Sequence, residues 1–271
     1  MGDIKADVFA LLRQVSAELI LPRFQNLHAD QISTKSSATD YVTIADTEAE
    51  QWISPRLQAI FDCEVIGEEA SAASGISGDR VLSGHAWTID PIDGTSNFVK
   101  GRERFCTMIA LTLDGVPQQA WIYQQLADTL YYAAAGEGAF CITATGENRI
   151  YAGPTAENRD EWVGAGNVLG VTEPAKSAIQ SRMKQLAGRR FPGSAGIQGT
   201  LIASGREDYM MHGNCTAWDH APVDLLCREA GGHSAMIETG APYRAGQSGP
   251  YMASADKAIW DHLHATVWNG E

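Results

Sequence analysis

Asp90-Pro-Ile-Asp-Gly-Thr95 places two aspartates three residues apart at the end of the apolar run Ala86-Trp-Thr-Ile89. Pro91 has no N–H to give to a sheet, so strand pairing is expected to stop at Asp90. A tight turn through Pro91 and Gly94 would bring both carboxylates to one side, where they repel unless one is protonated or a cation lies between them. If Gly94 and Thr95 open a short helix, their free amides face an anion. Carboxylates for a metal beside amides for a phosphate make a site suited to phosphoryl transfer. The same residues also fit an ordinary Asx turn with solvated aspartates.

Further acids sit at comparable places. Glu68-Glu69 follows the strand-like Val65-Ile66-Gly67, and Trp218-Asp219-His220-Ala221-Pro222 precedes the apolar-periodic run Val223, Leu225, Leu226 and Ala230. Asp219 therefore reads as a helix N-cap, with Pro222 in the first turn where it is tolerated. Oxygen donors drawn from several segments suit Mg2+. No His/Cys constellation competes for a softer metal, and the His262/His264 pair, two apart on a helical pattern, points to different faces.

These residues need elements to hold them. Ile4, Val8, Leu11, Leu12, Val15 and Leu19 recur at helical spacing, which predicts an amphipathic helix over 4–20. Residues 29–40 are rich in Ser and Thr and read as an exposed loop. A second helix is expected from about Asp46 to Phe61. Strands follow at Glu64–Gly67, Ala86–Asp90, Phe105–Leu113, Gln119–Gln124 and Thr129–Ala134, with hairpins supported by Asp114-Gly115. Beyond residue 150, helices at 174–187, 196–204 and 220–230 alternate with short strands near 162–166, 208–211, 233–237 and 250–254. A closing helix spans about 255–267. The pattern predicts an α+β fold of layered sheets and helices, with an N-terminal subdomain over 1–150 and a C-terminal one over 151–271.

With 44% apolar residues in 271, the chain can bury a sizeable core, and no apolar run approaches a bilayer span. Its net charge of −13 argues against a nucleic acid polymer as partner, while a metal can still invert the local field for a small anion. The scattered, odd-numbered cysteines (Cys63, Cys106, Cys141, Cys215, Cys227) fit reduced thiols. The first residues run straight into an amphipathic pattern without a charged-then-apolar leader. A cytoplasmic protein that does not enter a membrane is the expectation.

Taken together, Gly67-Glu68-Glu69, Trp87-Thr-Ile-Asp-Pro-Ile-Asp-Gly-Thr-Ser-Asn-Phe98 and Trp218-Asp219 with Glu229-Ala-Gly-Gly232 resemble the inositol monophosphatase family. This family sits among the Mg2+-dependent, lithium-sensitive phosphatases. Weaker matches are Lys35-Ser36, Asp40-Tyr-Val-Thr43 with Asp46, and Gly193-Ser-Ala-Gly196. The resemblance covers about residues 5–265 and implies a layered αβαβα sandwich and a phosphomonoesterase for a small metabolite phosphate of the inositol, sugar or polyol type. The alternatives are a 3'(2'),5'-bisphosphate nucleotidase or histidinol-phosphate phosphatase of the same fold, and, in a different class, a regulatory protein-binding role on this scaffold.

It further implies that Glu68, Asp90 and the Ile92 carbonyl hold one metal ion and that Asp90, Asp93 and Asp219 hold a second. Glu68 would also support a looser third. The ions would be Mg2+, with Mn2+ as a substitute. Thr95, paired with Asp46, would orient the attacking water in a catalytic set that includes Glu68. Asp93 and the amides of Gly94 and Thr95 would hold the phosphate. Glu69 would lend support from beside Glu68. Gly193, Ser194, Ala195, His212 and Asp219 would face the substrate, and Lys35 would sit on a mobile flap. A homodimer is carried over from the family. One departure stands out: inositol-type members have a Glu seven residues before the Asp of Trp-Asp, and here that position is His212. An imidazole that can donate a hydrogen bond replaces a carboxylate that accepts them from a polyol. His212 could equally be structural, and His220 could approach the substrate or face away.

Overall fold

The computed structural model describes residues 3–35, 40–74, 82–186 and 192–270. Helix α1 (Ile4–Val15) starts at Asp3, whose side chain accepts from the Lys5 and Ala6 amides, and buries Val8, Leu11, Leu12 and Val15. The predicted helix over 4–20 is regular only to Val15. Ser16–Ile20 widen into a π turn, and Leu21–Arg23, which contain Pro22, tighten to a 3-10 turn.

The stretch read as a loop over 29–40 contains a strand. β1 (Ile32–Thr34) pairs antiparallel with β2 (Tyr41–Thr43), an alternation too short and polar to register as periodicity; Ser36 to Thr39 lie outside the described residues. Helix α2 (Ile44–Ile60) begins two residues earlier than expected, at a capping box in which Thr43 is the cap and Asp46 the reciprocal acceptor.

From β3 (Glu64–Gly67) the chain enters helix α3 (Glu68–Ser74), then β4 (His85–Asp93) and helix α4 (Thr95–Val99). Five more strands complete a seven-stranded sheet: β5 (Cys106–Leu113), β6 (Val116–Gln124), β7 (Thr129–Ala134), β8 (Gly138–Thr143) and β9 (Gly146–Ile150). They lie in sequence order, joined antiparallel except for the parallel pair β3 and β4. β9 escapes sequence patterning because it is mostly exposed and polar; β8, half-buried and apolar, is also absent from the expected strands.

The remainder holds β10 (Gly164–Gly166), α5 (Ala175–Met183), α6 (Ala195–Ala203), β11 (Tyr209–His212), α7 (Ala217–Glu229), β12 (His233–Met236), β13 (Tyr251–Ser254) and α8 (Lys257–Leu263). A π turn over His264–Asn269 ends the closing helix. The second sheet has the order β10-β11-β13-β12, parallel only between β10 and β11.

Alternation along the large sheet explains the layering. Trp87, Ile89, Ile109, Leu111, Trp121 and Tyr132 face one way and pack with Val8, Leu12, Ala49, Ile53 and Leu57 of α1 and α2. Ala86, Met108, Ala110, Ala120 and Ile122 face the other way and join Ile202, Val223, Leu225 and Leu226 of α6 and α7. The small sheet covers those two helices, and α5 and α8 pack beyond it. The result is an α+β fold of five layers, helix–sheet–helix–sheet–helix. Small residues on the inner face of the large sheet let α7 approach closely. Among the described residues no helix is long and apolar enough to cross a membrane.

Because α7 lies between the two sheets, a void there has no free surface into which to collapse. Leu225→Ala, at a fully buried position, is expected to lower the unfolding free energy by about 2–5 kcal/mol in a denaturant titration.

Candidate metal and phosphate site

Register places the first acids. Gly67 pairs with Ile89 across the parallel β3/β4 ladder, so the next residues, Glu68 and Asp90, emerge side by side from the strand ends. Pro91 does not end the pairing as expected. The ladder shifts register between Asp90 and Asp93 and resumes at Asp93 opposite Cys106. Pro91 sits in this bulge, where its missing N–H costs nothing, and its carbonyl accepts from Thr107 Oγ1 at 2.7 Å. Asp90 Oδ1 accepts the Ile92 amide at 2.9 Å. Gly94 then turns with φ +93°, and a Cβ there would lie 2.8 Å from the Arg104 carbonyl, so this turn requires glycine. Helix α4 begins directly after it, with Asn97 and Phe98 donating back to the Gly94 carbonyl.

Asp219 arrives from the opposite side of the large sheet. It is not the N-cap of α7; Thr216 is, in extended conformation, with its hydroxyl accepting from the Asp219 amide. Pro222 correspondingly lies in the second turn of α7. The local reason is that Thr216 can cap equally well and is positioned three residues earlier. The consequence is chemical, since the Asp219 carboxylate is released from capping and can turn toward Asp90 and Asp93. Oxygens of these three acids lie within 4.8 Å of one another.

Such crowding is unfavourable for charge. Burial first, then Glu68, Asp93 and Asp219, push the Asp90 carboxyl well above the usual range. Asp219 is pushed up to about 8 by burial and then by Asp93 and Glu68. Asp93 is raised by burial but opposed by donors. The Ala195 amide reaches its Oδ1 at 3.1 Å and the Gly196 amide its Oδ2 at 2.7 Å, while Ser194 Oγ and Cys106 Sγ also donate to Oδ2. The segment Gly193–Ala195, implied to face substrate, therefore directs its donors at Asp93. It is anchored through Asn97 Nδ2, which donates to the Pro192 carbonyl at 2.8 Å.

Thr95 Oγ1 lies 3.1 Å from Asp46 Oδ1 and 3.0 Å from the Ile92 carbonyl. Asp46 is pushed up to about 6, chiefly by burial against the opposing bonds from Thr43. Lys35 Nζ bridges Glu68 at 2.7 Å and Glu69 at 2.8 Å. Burial alone would lower its pKa, but the two carboxylates outweigh that and raise it. Burial and Glu68 push Glu69 up to about 7.

His212 ends β11 and is 8% exposed. Its Nδ1 is 2.9 Å from Nε2 of His220, whose own Nδ1 accepts the Thr216 amide at 3.0 Å. That backbone N–H places the His220 proton on Nε2, which donates to His212 Nδ1 and leaves the His212 proton on its own Nε2. Burial holds both rings neutral, with His212 pushed down to about 4. Sequence reasoning missed this relay, and it also missed Glu50 and Cys106. An acid at 50, one turn after Asp46 on the apolar side of α2, was the available signal for Glu50.

The donor set fits hard divalent cations: the carboxylate oxygens of Asp90, Asp93 and Asp219, with a charge excess that protonation or cations must relieve. Acids of this kind on a layered α+β scaffold, around the strand ends of the large sheet, fit the class of phosphoryl hydrolases. The comparisons then identify the family: residues 5–271 match the inositol monophosphatase family, and the chain belongs to it. It is 33% identical to an inositol-1-monophosphatase of Bacillus subtilis over 89% of this chain and 91% of that protein. It is also 31% identical to Nus factor SuhB of Pasteurella multocida over 87% of this chain and 85% of that protein. Among solved structures, a Thermotoga maritima IMPase superposes with a TM-score of 0.78 at 27% identity, covering 98% of this chain and 97% of that one. The chain is thus a phosphatase of the inositol monophosphatase type, a phosphoric monoester hydrolase.

The raised carboxyls have a consequence for stability. An unfolded aspartate titrates near 3.9, so above that pH the metal-free native state binds protons that the unfolded chain has lost. Native stability therefore falls as pH rises toward the folded pKa. The buried histidines act in the opposite direction, but only below about pH 7. In EDTA the melting temperature is expected to fall from pH 7 to 8.5, and millimolar Mg2+ should reverse most of that fall. A melting temperature independent of both would contradict the cluster's electrostatics.

Proposed function

We propose that this phosphatase is Mg2+-dependent and hydrolyses a small metabolite phosphate of the inositol, sugar or polyol type. The observation that carries this reading is the convergence of Asp90, Asp93 and Asp219 within 4.8 Å, beside the Thr95–Asp46 pair. Glu68, Asp90 and the Ile92 carbonyl would hold one ion, and Asp90, Asp93 and Asp219 another. When bound, Mg2+ supplies charge neutralisation at the phosphoryl oxygens and an acidified water; Mn2+ would serve in its place.

The chain's own residues supply position. The Gly94 and Thr95 amides hold phosphate oxygens at the start of α4, and the Thr95 hydroxyl orients the attacking water. Asp46, hydrogen-bonded to Thr95, would accept the proton that Thr95 passes on. Lys35 on the β1–β2 ribbon stands over Glu68 and closes the metal side.

His212 bears on the substrate. Its Nε2–H is a donor, which would suit an acceptor group on the substrate and would add no negative charge. His212→Gln is expected to change the ranking of substrates by kcat/KM while leaving the Mg2+ requirement intact. An unchanged ranking would make the ring structural.

A phosphate-release screen over metabolite phosphates, nucleoside 3',5'-bisphosphates and histidinol phosphate tests the whole reading, with Mg2+, EDTA and Li+ arms. Release is expected with Mg2+ and is lost with EDTA; activity surviving EDTA would overturn the metal dependence. Asp93→Asn should lower kcat by at least a hundredfold to a thousandfold, the order found for losing one electrostatic element of a transition-state site, with the circular dichroism unchanged.

A second reading rests on the similarity to a Nus factor SuhB: a protein partner on the same scaffold. Phosphate release from none of the substrates in Mg2+ would favour it. A homodimer in the cytoplasm, with subdomains at 1–150 and 151–271, accords with either reading.

A further inference from the structure

Glu50 is a carboxylate that no step above uses, yet it is 4% exposed in the wall behind the acids. Its two oxygens accept from consecutive backbone amides of α3, Oε2 from Glu69 and Oε1 from Ala70, each at 2.8 Å. The room for it comes from Gly67. A Cβ on that residue would stand 2.2–2.5 Å from the Glu50 carboxylate, so any side chain there would evict it. Glu68 lies between these fixed points. On one side Gly67 is tied to Ile89 of β4, and on the other Glu69 and Ala70 are tied to Glu50.

The same helix also sets the nucleophile side of the site. Asp46 lies one turn before Glu50 on α2, and its carboxylate meets Thr95. One rigid helix thus references Thr95 through Asp46 and the Glu68 turn through Glu50. Burial pushes the Glu50 carboxyl up on balance, against the two amide bonds, which favour its charged form. A clamp of two N–H donors needs two acceptor oxygens, which an ionised carboxylate has and a carboxamide lacks.

We propose that Glu50 is a positioning residue that fixes where the Glu68 carboxylate stands and so sets the affinity of the site for divalent cations. This rests on the reading of Glu68 as a metal ligand. The test is the binding of Mn2+, followed by the electron paramagnetic resonance of the free ion, in the parent, Glu50→Gln, Glu68→Gln and the double variant. Amide exchange at Glu69 and Ala70 and the Mg2+ dependence of phosphate release complete the measurements.

Glu50→Gln turns one oxygen into an NH2 facing an N–H. It is expected to weaken Mn2+ binding about tenfold, the scale typical of groups that orient metal ligands. The Glu69 and Ala70 amides should exchange faster, the Mg2+ needed for half-activity should rise, and kcat should recover at saturating Mg2+. In the Glu68→Gln background the same change should cost no further affinity, because Glu50 acts through Glu68.

Unchanged Mn2+ affinity in Glu50→Gln, or an additive loss in the double variant, would overturn the proposal while leaving the metal reading in place. A parent protein without Mn2+ affinity would instead overturn the metal reading. Should Glu50→Gln fold poorly, Glu50→Asp, which keeps the charge but shortens the reach, must show the same split between cation affinity and kcat; a lower kcat at saturating Mg2+ would count against it.

Discussion

The repulsion among Asp90, Asp93 and Asp219 is the constraint around which the rest of this molecule is arranged. Three carboxylates within 4.8 Å, two of them buried, cannot all be ionised without compensation. The fold answers differently at each. Burial raises the proton affinity of all three; at Asp93 the surrounding donors oppose that rise, whereas Asp90 and Asp219 have fewer donors to do so. A divalent cation would relieve both at once, so the proposed metal would belong to the structure's electrostatic balance as well as to its chemistry.

That arrangement joins the two sheets. Asp90 and Asp93 leave the large sheet, Asp219 stands on α7, and the donors to Asp93 come from the start of α6. Asn97 fastens the preceding loop to α4. Gly196 must be glycine, since a Cβ there would meet Cys106 Sγ at 2.5 Å and Met108 Sδ at 2.7 Å. The site is accordingly rigid where its charges are greatest. The cationic cover comes from Lys35 on the two-stranded ribbon, whose strands, among the described residues, pair only with each other.

Much of the fold was legible because burial imposes periodicity. The strands Glu64–Gly67 and Thr129–Ala134 were read residue for residue, and α2 and α6 to within two residues at each end. The failures have specific causes. β9 faces solvent and carries no apolar alternation. β1 is three polar-flanked residues whose only reason to be extended is its partner β2. Pro91 suggested a strand end, yet a bulge makes its missing N–H harmless. Asp219 suggested a cap, yet Thr216 took that role.

By itself, the sequence determined which acids are present, their order, and the glycines that let the backbone approach them, because residue type and local turn geometry are properties of short segments. It also determined the family. Tertiary structure alone decided which donors those acids meet. Ser194 and Gly196 lie more than a hundred residues from Asp93 and still set its charge. A backbone amide at Thr216 chooses the tautomer of His212 through His220. Glu50 reaches Glu69 only because Gly67 leaves a gap. Contacts of that kind depend on how elements pack in space, and no spacing along the chain encodes them.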